Sequence, residues 1–547
     1  MKKIKKQLAE ALSETLGVDV SVKDIERPDG EHGDFAYPAM KAASQLEENP
    51  RKLAEGSAEA LEELDYITAV DVAGPGYLNF HLDRSFYAEE VCETLESENM
   101  GVEERSGKAL VEFSSPNIAK PMHIGHLRNN VLGDSIQRIL RFVGEDVTSE
   151  NYVGDLGTQF GKLIYAHKNI ETEKSFDENP MEYMYDLYVK FHEVAEENPE
   201  VEDKGREWAS KIEEGDEEAR ELWRKFREAS LEYHKEEYER LGISFDRITG
   251  ESTVLEGAQE LIQQKLDEGV LGKDDDGSVF LEFEDKDLPG VVLLKTDGST
   301  LYITRDLYNI KKRKEEDFDE ILYVVASEQE LNFRQLFAAS EKLGISSEGA
   351  EHISYGLLSL PEGSMSSRKG RIAREAELLD AAVEKASERM EEREGDPEAV
   401  GIGAVKYANL SVSRRKDIEF DWDEVLTFEG DSGPYLQYSN TRAKSILKKS
   451  ELDGELKGDL NDQEYRLLKK LSEFPEKVDS AAEHREPAKI ANYLSQLCEE
   501  FNSFYHSSPV LGEDETVEKK RLKLVEIFVD VTDHGLELLG IQPLEEM

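Results

Sequence analysis

Cysteine and long apolar runs are scarce in this sequence of 547 residues. Cys92 and Cys498 are the only cysteines and lie far apart, which excludes a zinc cluster of cysteines and a disulfide framework. We therefore expect reduced thiols and no structural metal. The stretch 1–18 has the pattern of an amphipathic helix, and no signal peptide or membrane-spanning run is visible. These absences predict a soluble, cytoplasmic protein that has no membrane contact.

Basic residues are also few. The chain has 67 Lys and Arg against 120 Asp and Glu, which gives a net charge of -53, and the acid is spread along the whole length. Such a field repels nucleic acid and, taken alone, argues against an RNA partner. In molar salt, however, the Debye length falls to about 3 Å, so long-range repulsion is screened while carboxylates still hold water and cations. We interpret the charge as a halophilic adaptation that says nothing about partners.

The most informative stretch is 111–134, VEFSSPNIAKPMHIGHLRNNVLGD. A short apolar run leads through a loop to His123-Ile124-Gly125-His126, which begins a helical pattern that Gly144 is placed to end. The apolar residues at helical spacing are Leu127, Val131, Leu132, Ile136, Ile139, Leu140 and Val143. A strand, loop and helix start of this kind stabilises an anion through free N–H groups and the helix dipole. Phosphate is the expected ligand, because both histidines can donate hydrogen bonds to its oxygens.

A second strand and a glycine-rich turn follow this helix. The segment DVTSENYVGD reads as a strand, and Gly154-Asp155-Leu156-Gly157-Thr158-Gln159-Phe160-Gly161 comes after it. A strand, helix and parallel strand form a right-handed unit of a doubly wound sheet, whose ligands bind at the carboxyl ends of the strands. These observations predict an α/β fold that contains a Rossmann-like parallel sheet.

The motif HIGH after a strand resembles the ATP-binding motif of class I aminoacyl-tRNA synthetases, and SSPNIAKPMHIGHLRNN resembles the arginyl-tRNA synthetases in particular. The glycine-rich turn is similar to the GDxGxQFG of that family, and GPYLQYSNTRAKSIL is similar to the start of its helical anticodon-binding domain. The resemblance covers nearly the whole chain in the order of the family. With the acidic composition, it leads us to expect a halophilic archaeon as the source.

The resemblance implies an arginine–tRNA ligase with L-arginine, ATP (as Mg-ATP) and tRNA(Arg) as partners. The enzyme would activate arginine to arginyl-adenylate and transfer it to the 3′ end of the tRNA. We expect a monomer with an N-terminal α/β domain, a Rossmann-like catalytic domain that carries an insertion, and a C-terminal all-α region with a linker and an anticodon-binding bundle. Their expected bounds are 1–105 for the tRNA-contacting N-terminal domain, 106–385 for the catalytic domain, about 168–290 for its helical and hairpin insertion, and 386–547 for the helical region.

The resemblance also assigns residues to two binding sites. The arginine pocket comprises Glu112, Asn117, Tyr302, Asp306 and Gln329. Its carboxylates suit the fixed fork of donors of a guanidinium, and Tyr302 and Asp306 would share one face if their segment is helical. The residues assigned to ATP are His123, Gly125, His126, Gly154, Asp155, Gln159, Leu357, Met365 and Ser366. Asn332 stands where many relatives have histidine, three residues after the glutamine.

The phosphate loop departs from the pattern of class I synthetases. Where that class has Lys-Met-Ser-Lys, this chain has Ser364-Met365-Ser366-Ser367, so both lysines are absent. Another cation must then neutralise the ATP phosphates. Lys120, three residues before His123, is the predicted substitute and joins the two histidines as a catalytic residue. The competing candidates, Arg368 and Lys369, adjoin the motif in a shifted register.

Three alternatives remain open at this stage. An enzyme of the same superfamily could use another amino acid, although Glu112 and Asp306 count against it. A synthetase-like binding protein without catalysis would explain the missing lysines, and a nucleotide-dependent scaffold without RNA would fit the acidity. Three basic clusters are candidate phosphate contacts for tRNA. They are Arg414-Arg415-Lys416, Lys448-Lys449 and Lys519-Lys520-Arg521.

Overall fold

The computed structural model of the chain describes residues 1–28, 32–284, 287–296, 298–359, 374–390 and 395–547. The N-terminal part is a small antiparallel sheet covered by helices. Its elements are α1 (Lys2–Leu16), β1 (Phe35–Pro38), α2 (Met40–Leu46), α3 (Pro50–Glu62), β2 (Ile67–Ala73), β3 (Tyr77–Leu82) and α4 (Arg84–Leu95). The strand order is β1-β3-β2. Gly76 in the β2–β3 turn has a φ of +134°, and a Cβ there would lie 2.8 Å from the Pro50 carbonyl, so glycine is needed for the hairpin to reach α3.

The middle of the chain is built on a parallel sheet of five strands. Its elements are β4 (Lys108–Glu112), α5 (Ile124–Phe142), β5 (Asp146–Val153), α6 (Thr158–Asn169), α7 (Pro180–Glu197), α8 (Glu200–Glu214), α9 (Glu217–Arg240), β6 (Arg247–Gly250), α10 (Leu255–Asp267), β7 (Val279–Leu281), β8 (Val291–Leu294), α11 (Tyr302–Glu315), β9 (Glu320–Ala326), α12 (Glu330–Lys342) and β10 (Ala350–Tyr355). The strand order is β10-β9-β4-β5-β6. β4 is the central strand: β5 and β6 lie on one side of it, and β9 and β10 lie on the other. The topological switch point is therefore between the carboxyl ends of β4 and β9.

The charged segment after α6 forms α7, α8 and α9, and β7 and β8 pair as an antiparallel hairpin. On α9, Phe226 is fully buried, while Leu222, Trp223 and Leu231 pack as partly buried residues on the same core. That core also contains Phe160 of α6. These apolar side chains therefore join α9 to α6, beside the glycine-rich turn.

The chain ends in helices. The elements are β11 (Leu358–Ser359), α13 (Glu375–Met390), α14 (Pro397–Leu410), β12 (Ile418–Glu419), α15 (Trp422–Val425), α16 (Gly433–Leu447), α17 (Asp462–Leu471), α18 (Phe474–His484), α19 (Ala488–Ser507) and α20 (Glu515–Leu538). The predicted fold class is confirmed: a parallel-sheet domain lies between an N-terminal α/β part and a C-terminal all-α bundle. One apolar core runs from α1 through α5 to α20, and α20 of the bundle packs on both α4 of the N-terminal part and α5 of the sheet domain.

Both cysteines are free thiols. Among the described residues, no helix has the length and apolar character needed to cross a membrane. In the same part of the chain, no group of three or more His, Cys, Asp or Glu side chains is arranged to hold a metal ion.

Candidate active site

The HIGH motif caps the helix that follows β4. His123 is the N-cap of α5, and its Nδ1 accepts a hydrogen bond from the Gly125 backbone N–H at 3.1 Å. The backbone N–H of His123 in turn donates to Nδ1 of His126 at 3.1 Å. Because both Nδ1 atoms accept, the neutral rings carry their protons on Nε2. The motif therefore offers two Nε2–H donors at the start of α5.

Both imidazoles are held in the neutral form. Burial, together with the nearby His123 and His234, lowers the pKa of His126 to about 3. Burial also lowers the pKa of His123, with a contribution from the charge of Lys120. At neutral pH these rings donate hydrogen bonds but bring no positive charge, so the charge that balances a bound phosphate must come from another group.

Gly125 leaves room for the cap. A Cβ at this position would lie 2.9 Å from Cε1 of His123 and 3.0 Å from its Nδ1. Any side chain would push the His123 ring off the helix start. The resemblance assigns Gly125 to ATP, and the structure shows a further reason for glycine in the helix cap itself.

The loop between β4 and α5 is held in an unusual backbone conformation by neighbouring elements. Ser114, Ser115 and Ala119 have φ values of +69°, +44° and +72°. Their backbone N–H groups donate, in that order, to the side chains of Asn129 in α5, Asn151 in β5 and Ser230 in α9. Such strain persists only where the surroundings enforce it, and it is common at functional sites. The loop is therefore fixed on three sides before a ligand arrives.

The predicted arginine pocket lies at the carboxyl end of β4, where α11 faces the sheet. Glu112 ends β4 and is 7% exposed. The segment of Tyr302 and Asp306 is helical, as the predicted shared face requires, and it is the first turn and a half of α11. Asp306 is partly buried, whereas Tyr302 is 62% exposed at the mouth. The structure thus brings Glu112, Asp306 and Tyr302 to one place.

This pocket is strongly acidic. Burial raises the pKa of Asp306 to about 7, and the negative charge of Glu112 adds to the rise. Burial likewise raises the pKa of Glu251, which follows β6, to about 7, and Asp306 contributes to this shift. The buried hydroxyl of Tyr152 has no hydrogen-bond partner among the described residues. Carboxyl groups crowded in this way are stabilised by a cationic ligand.

Four further predicted residues lie at or near the carboxyl ends of the strands β5 and β9 or in the loop after β4. Asn117 is exposed and bridges to Gly154, whose backbone N–H donates to the carbonyl of Pro116 at 3.0 Å. Gln159 donates from Nε2 to the Gly154 carbonyl at 3.1 Å. Gln329 is exposed just after β9, and its Oε1 accepts from Asn332 at 2.5 Å. Asn332 therefore orients the side-chain amide of Gln329.

Leu357 and Lys120 lie in two different loops. Leu357 is 42% exposed between β10 and β11, and its backbone N–H donates to Asp417 at 2.7 Å. Lys120 lies in the β4–α5 loop with its Nζ 3.9 Å from the centre of the Tyr188 ring of α7. The remaining predicted loop residues lie outside the described part of the chain. They are Ser364, Met365, Ser366, Ser367, Arg368 and Lys369.

Asp155, which the resemblance assigns to ATP, has its side chain inside the protein. Its side chain is fully buried, and the carboxylate accepts from Nε of Arg227 at 2.8 Å and from the backbone N–H and hydroxyl of Ser252 at 2.8 and 2.7 Å. A Cβ at Gly250 would lie 2.3 Å from this carboxylate. With its oxygens bound by protein donors, Asp155 anchors the glycine-rich turn to α9 and to the end of β6.

Sequence reasoning missed the charged groups behind the pocket. Arg313 of α11 pairs with both Glu112, at 2.5 Å, and Glu150 of β5, at 2.7 Å. Arg305 pairs with Glu251 at 3.2 Å. A partial signal was present, since Arg313 follows Asp306 by seven residues, close to two helical turns, and Glu251 follows a strand end. The pairing itself depends on sheet register, which the sequence does not display.

Most residues of the three basic clusters already have partners within the protein. Lys520 and Arg521 both contact the buried Glu464 at 2.8 Å. Arg414 is buried and donates to the Ser354 carbonyl at 2.6 Å. Lys448 pairs with Glu545, and Lys519 with Glu515. Four of the predicted phosphate contacts stay exposed: Arg415, Lys416, Lys448 and Lys449.

Three family models match the chain in order. "Arginyl tRNA synthetase N terminal domain" matches residues 2–82, "tRNA synthetases class I (R), catalytic domain" matches 90–422, and "DALR anticodon binding domain" matches 436–547. A five-stranded parallel sheet with the HIGH helix at its switch point is thus the catalytic domain of a class I aminoacyl-tRNA synthetase.

Similar proteins specify the family. The arginine–tRNA ligase of Halothermothrix orenii is 38% identical, over 99% of either chain, and that of Exiguobacterium sibiricum is 39% identical, over 99% of this chain and 100% of the relative. The solved arginyl-tRNA synthetase of Thermus thermophilus superposes with a TM-score of 0.81 at 27% identity, over 99% of this chain and 100% of that one. The chain belongs to the arginyl-tRNA synthetase family. These relatives are bacterial, so the expected archaeal source receives no support from them.

Proposed function

We propose that this chain is an arginine–tRNA ligase. The carboxylate of L-arginine attacks the α-phosphorus of ATP, pyrophosphate leaves, and arginyl-adenylate forms. The arginyl group then passes to the 3′ end of tRNA(Arg), and AMP leaves. The observation that carries the proposal is the crowding of Glu112 and Asp306, with a raised pKa for Asp306, beside the capped start of α5. A guanidinium relieves that crowding and offers the fork of donors that carboxylates accept.

The roles of the pocket residues follow from their positions. Glu112 and Asp306 accept from the guanidinium, and the exposed Asn117, Tyr302 and Gln329 close the pocket around the rest of arginine. Because lysine and citrulline leave buried polar groups unmatched, discrimination needs no second site. Asp306→Ala should raise the KM for arginine by about 10- to 100-fold and leave the KM for ATP near its original value. A normal KM for arginine in this variant would refute the pocket assignment.

In this proposal, ATP binds across the start of α5, between the loop that contains Lys120 and the turn at Gly154. His123 and His126 donate their Nε2–H to phosphate oxygens, while Gly125, Gly154, Gln159 and Leu357 contact the nucleotide. Met365 and Ser366 of the phosphate loop also contact it. Mg²⁺ enters as Mg-ATP and offsets phosphate charge, and catalysis is by positioning and electrostatic stabilisation.

Lys120 supplies the cation that the neutral histidines and the Ser364–Ser367 motif do not. Its position beside His123 and over the Tyr188 ring places an ammonium group at the helix start that binds phosphate. Lys120→Ala should lower the rate of arginine activation far more than Lys369→Ala, in a measurement of ATP–pyrophosphate exchange. Equal losses, or a larger loss in the second variant, would assign this task to the 364–369 segment.

Pyrophosphate exchange with the full chain tests the function itself. Exchange should depend on arginine and fail with glutamine, glutamate or cysteine, and parallel assays with and without tRNA(Arg) measure whether tRNA is needed for activation. Exchange with one of the other amino acids would overturn the substrate assignment. Binding of tRNA without any exchange would favour a synthetase-like binding protein instead.

The remaining parts of the proposal concern the whole chain. Residues 1–105 contact the body of the tRNA, residues 106–385 hold the catalytic site, with the insertion at about 168–290, and residues 386–547 read the anticodon region. We propose a cytoplasmic monomer whose acidity is an adaptation to concentrated salt. The charge of -53 supports the last point, because a nucleic-acid partner approaches such a surface only when salt screens it.

A further inference from the structure

A row of polar side chains crosses the parallel sheet beneath the proposed arginine pocket. Glu112 of β4 is in register with Tyr323 of β9 on one side and with Glu150 of β5 on the other. Glu150 is in register with Arg247 of β6. Registered neighbours in a parallel sheet point to the same face and lie about 4.8 Å apart. Two carboxylates, Glu112 and Glu150, therefore stand side by side in the buried sheet.

Arg313 of α11 lies against this row and joins its two acids. One guanidinium nitrogen, NH2, is 2.5 Å from Oε2 of Glu112 and 2.7 Å from Oε2 of Glu150. The guanidinium carbon is 5.7 Å from the centre of the Tyr152 ring and 5.2 Å from that of Tyr323. Arg313 is only 1% exposed. It is therefore a fixed part of the pocket floor and cannot itself reach the nucleotide.

The contact with Arg313 affects both the protonation and the orientation of the Glu112 carboxyl. Burial raises the pKa of the Glu112 carboxyl, and the charge of Arg313 opposes that rise. The contact also uses Oε2, so Oε1 is left on the side of the β4–α5 loop, 3.4 Å from the hydroxyl of Ser115. An acid held in one orientation presents a fixed acceptor, whereas an acid without this contact would rotate or take up a proton.

We propose that Arg313 is a positioning residue for substrate recognition: it holds Glu112 so that Oε1 is presented to the guanidinium of the bound amino acid. The proposal rests on the proposed role of Glu112 as an arginine ligand. It assigns arginine affinity to a side chain on α11 that does not touch arginine. Since Arg313 and Asp306 belong to the same helix, α11 supplies one acceptor directly and orients the other.

The experiment measures the KM for L-arginine and for ATP separately, in aminoacylation by the full chain. Arg313→Lys keeps the charge and should stay within a few-fold of the original values. Arg313→Gln with Glu150→Gln removes one positive and one negative charge together, so the net buried charge is unchanged, and circular dichroism checks that the variant is folded. This double variant should raise the KM for arginine about 10- to 100-fold, the loss expected for a charge-assisted contact, and leave the KM for ATP unchanged.

The control is Arg247→Gln, because Arg247 contacts Glu150 at 3.1 Å and lies beyond it in the row. It should change the KM for arginine by less than about three-fold. A double variant with a normal KM for arginine would overturn the positioning role, and so would equal increases in the two KM values.

Glu112→Gln separates this proposal from the one on which it rests. If Glu112→Gln leaves the KM for arginine unchanged, the role of Glu112 as a ligand is wrong. If it raises that KM and the double variant does not, Glu112 binds arginine without help from Arg313, and the present inference alone fails.

Discussion

At the scale of single residues, the protein's own ion pairs decide which charges remain available for substrates. Lys520 and Arg521 lie in a basic run, yet both are committed to the buried Glu464. Asp155 lies in a family motif, yet its carboxylate is enclosed by donors of the protein. Lys120, by contrast, has its ammonium over an aromatic ring, a contact that leaves it free to approach a phosphate.

The arginine affinity of the pocket should increase as pH rises through 7. Burial raises the pKa of Asp306 to about 7, so this carboxyl is protonated below that pH and ionised above it in the free protein. A cationic ligand needs the ionised form. The KM for arginine should therefore fall by up to about ten-fold per pH unit between about pH 5.5 and 7 and level off above. Asp306→Asn should flatten this dependence; an unchanged slope in that variant would assign the titration to another group, of which Glu251 is the first candidate.

Asp155→Ala should lower the stability of the protein. The substitution leaves Arg227 and the backbone N–H of Ser252 without their acceptor, and breaking a buried pair of this kind costs about 3–5 kcal/mol. We expect a lower melting temperature for the sheet domain, measured by circular dichroism, and a smaller loss for Asp155→Asn. Asp203→Ala, at an exposed pair with Arg206, should leave melting unchanged. A raised KM for ATP without any loss of stability would restore the direct ATP role.

At the scale of elements, the start of α5 combines a helix cap with a ligand site. Nδ1 of His123 and Nδ1 of His126 accept hydrogen bonds from backbone N–H groups at the helix start. The proton of each neutral ring is therefore on Nε2, which is free to donate to a ligand. The preceding loop takes positive φ values at Ser114, Ser115 and Ala119 and is held by α5, β5 and α9. Cap and loop together place two donors at the end of the sheet before ATP binds.

Gly125→Ala should weaken ATP binding without weakening the helix. Alanine has the higher helix propensity, but its Cβ would lie 2.9 Å from the His123 ring and displace it. We expect the KM for ATP to rise about ten-fold, the loss of one hydrogen bond to a charged group, while the melting temperature stays constant. Gly56→Ala in α3, where a Cβ meets nothing within 4 Å, is the matched control. Equal KM values for ATP in the two variants would contradict this role of the cap.

At the scale of the whole molecule, ion pairs join the N-terminal part to the bundle under a large excess of acid. Arg27 contacts Glu476 at 3.1 Å and the hydroxyl of Ser472 at 3.0 Å, and Arg84 contacts Asp462 at 2.7 Å. One apolar core also continues across both parts. These contacts work against the mutual repulsion of surface carboxylates, which grows as salt is removed.

The melting temperature should therefore rise with KCl between about 0.1 and 2 M, because screening removes repulsion between exposed acids and leaves partly buried pairs such as Arg27–Glu476 largely intact. Scanning calorimetry across a KCl series measures it, and potassium glutamate at the same concentrations separates screening from chloride binding. Full compactness and activity in low salt would show that the acidity is not a salt adaptation.

The sequence by itself determined the elements whose signals are local. The apolar spacing from Leu127 to Val143 and the turn at Gly144 predicted α5, since a helical period is written in consecutive residues. The spacing of Tyr302 and Asp306 placed both on one face of α11 for the same reason. The alternation of strands and helices was sufficient to predict the parallel sheet and its ligand edge.

Only the tertiary structure decided which charges meet. Glu112, Glu150 and Arg313 come from two strands and a helix that are far apart in sequence, and they meet because of the sheet register and the packing of α11. The burial of Asp155 likewise depends on α9 and on the residues after β6. Register, burial and pKa are properties of long-range contacts, and no local pattern in the chain encodes them.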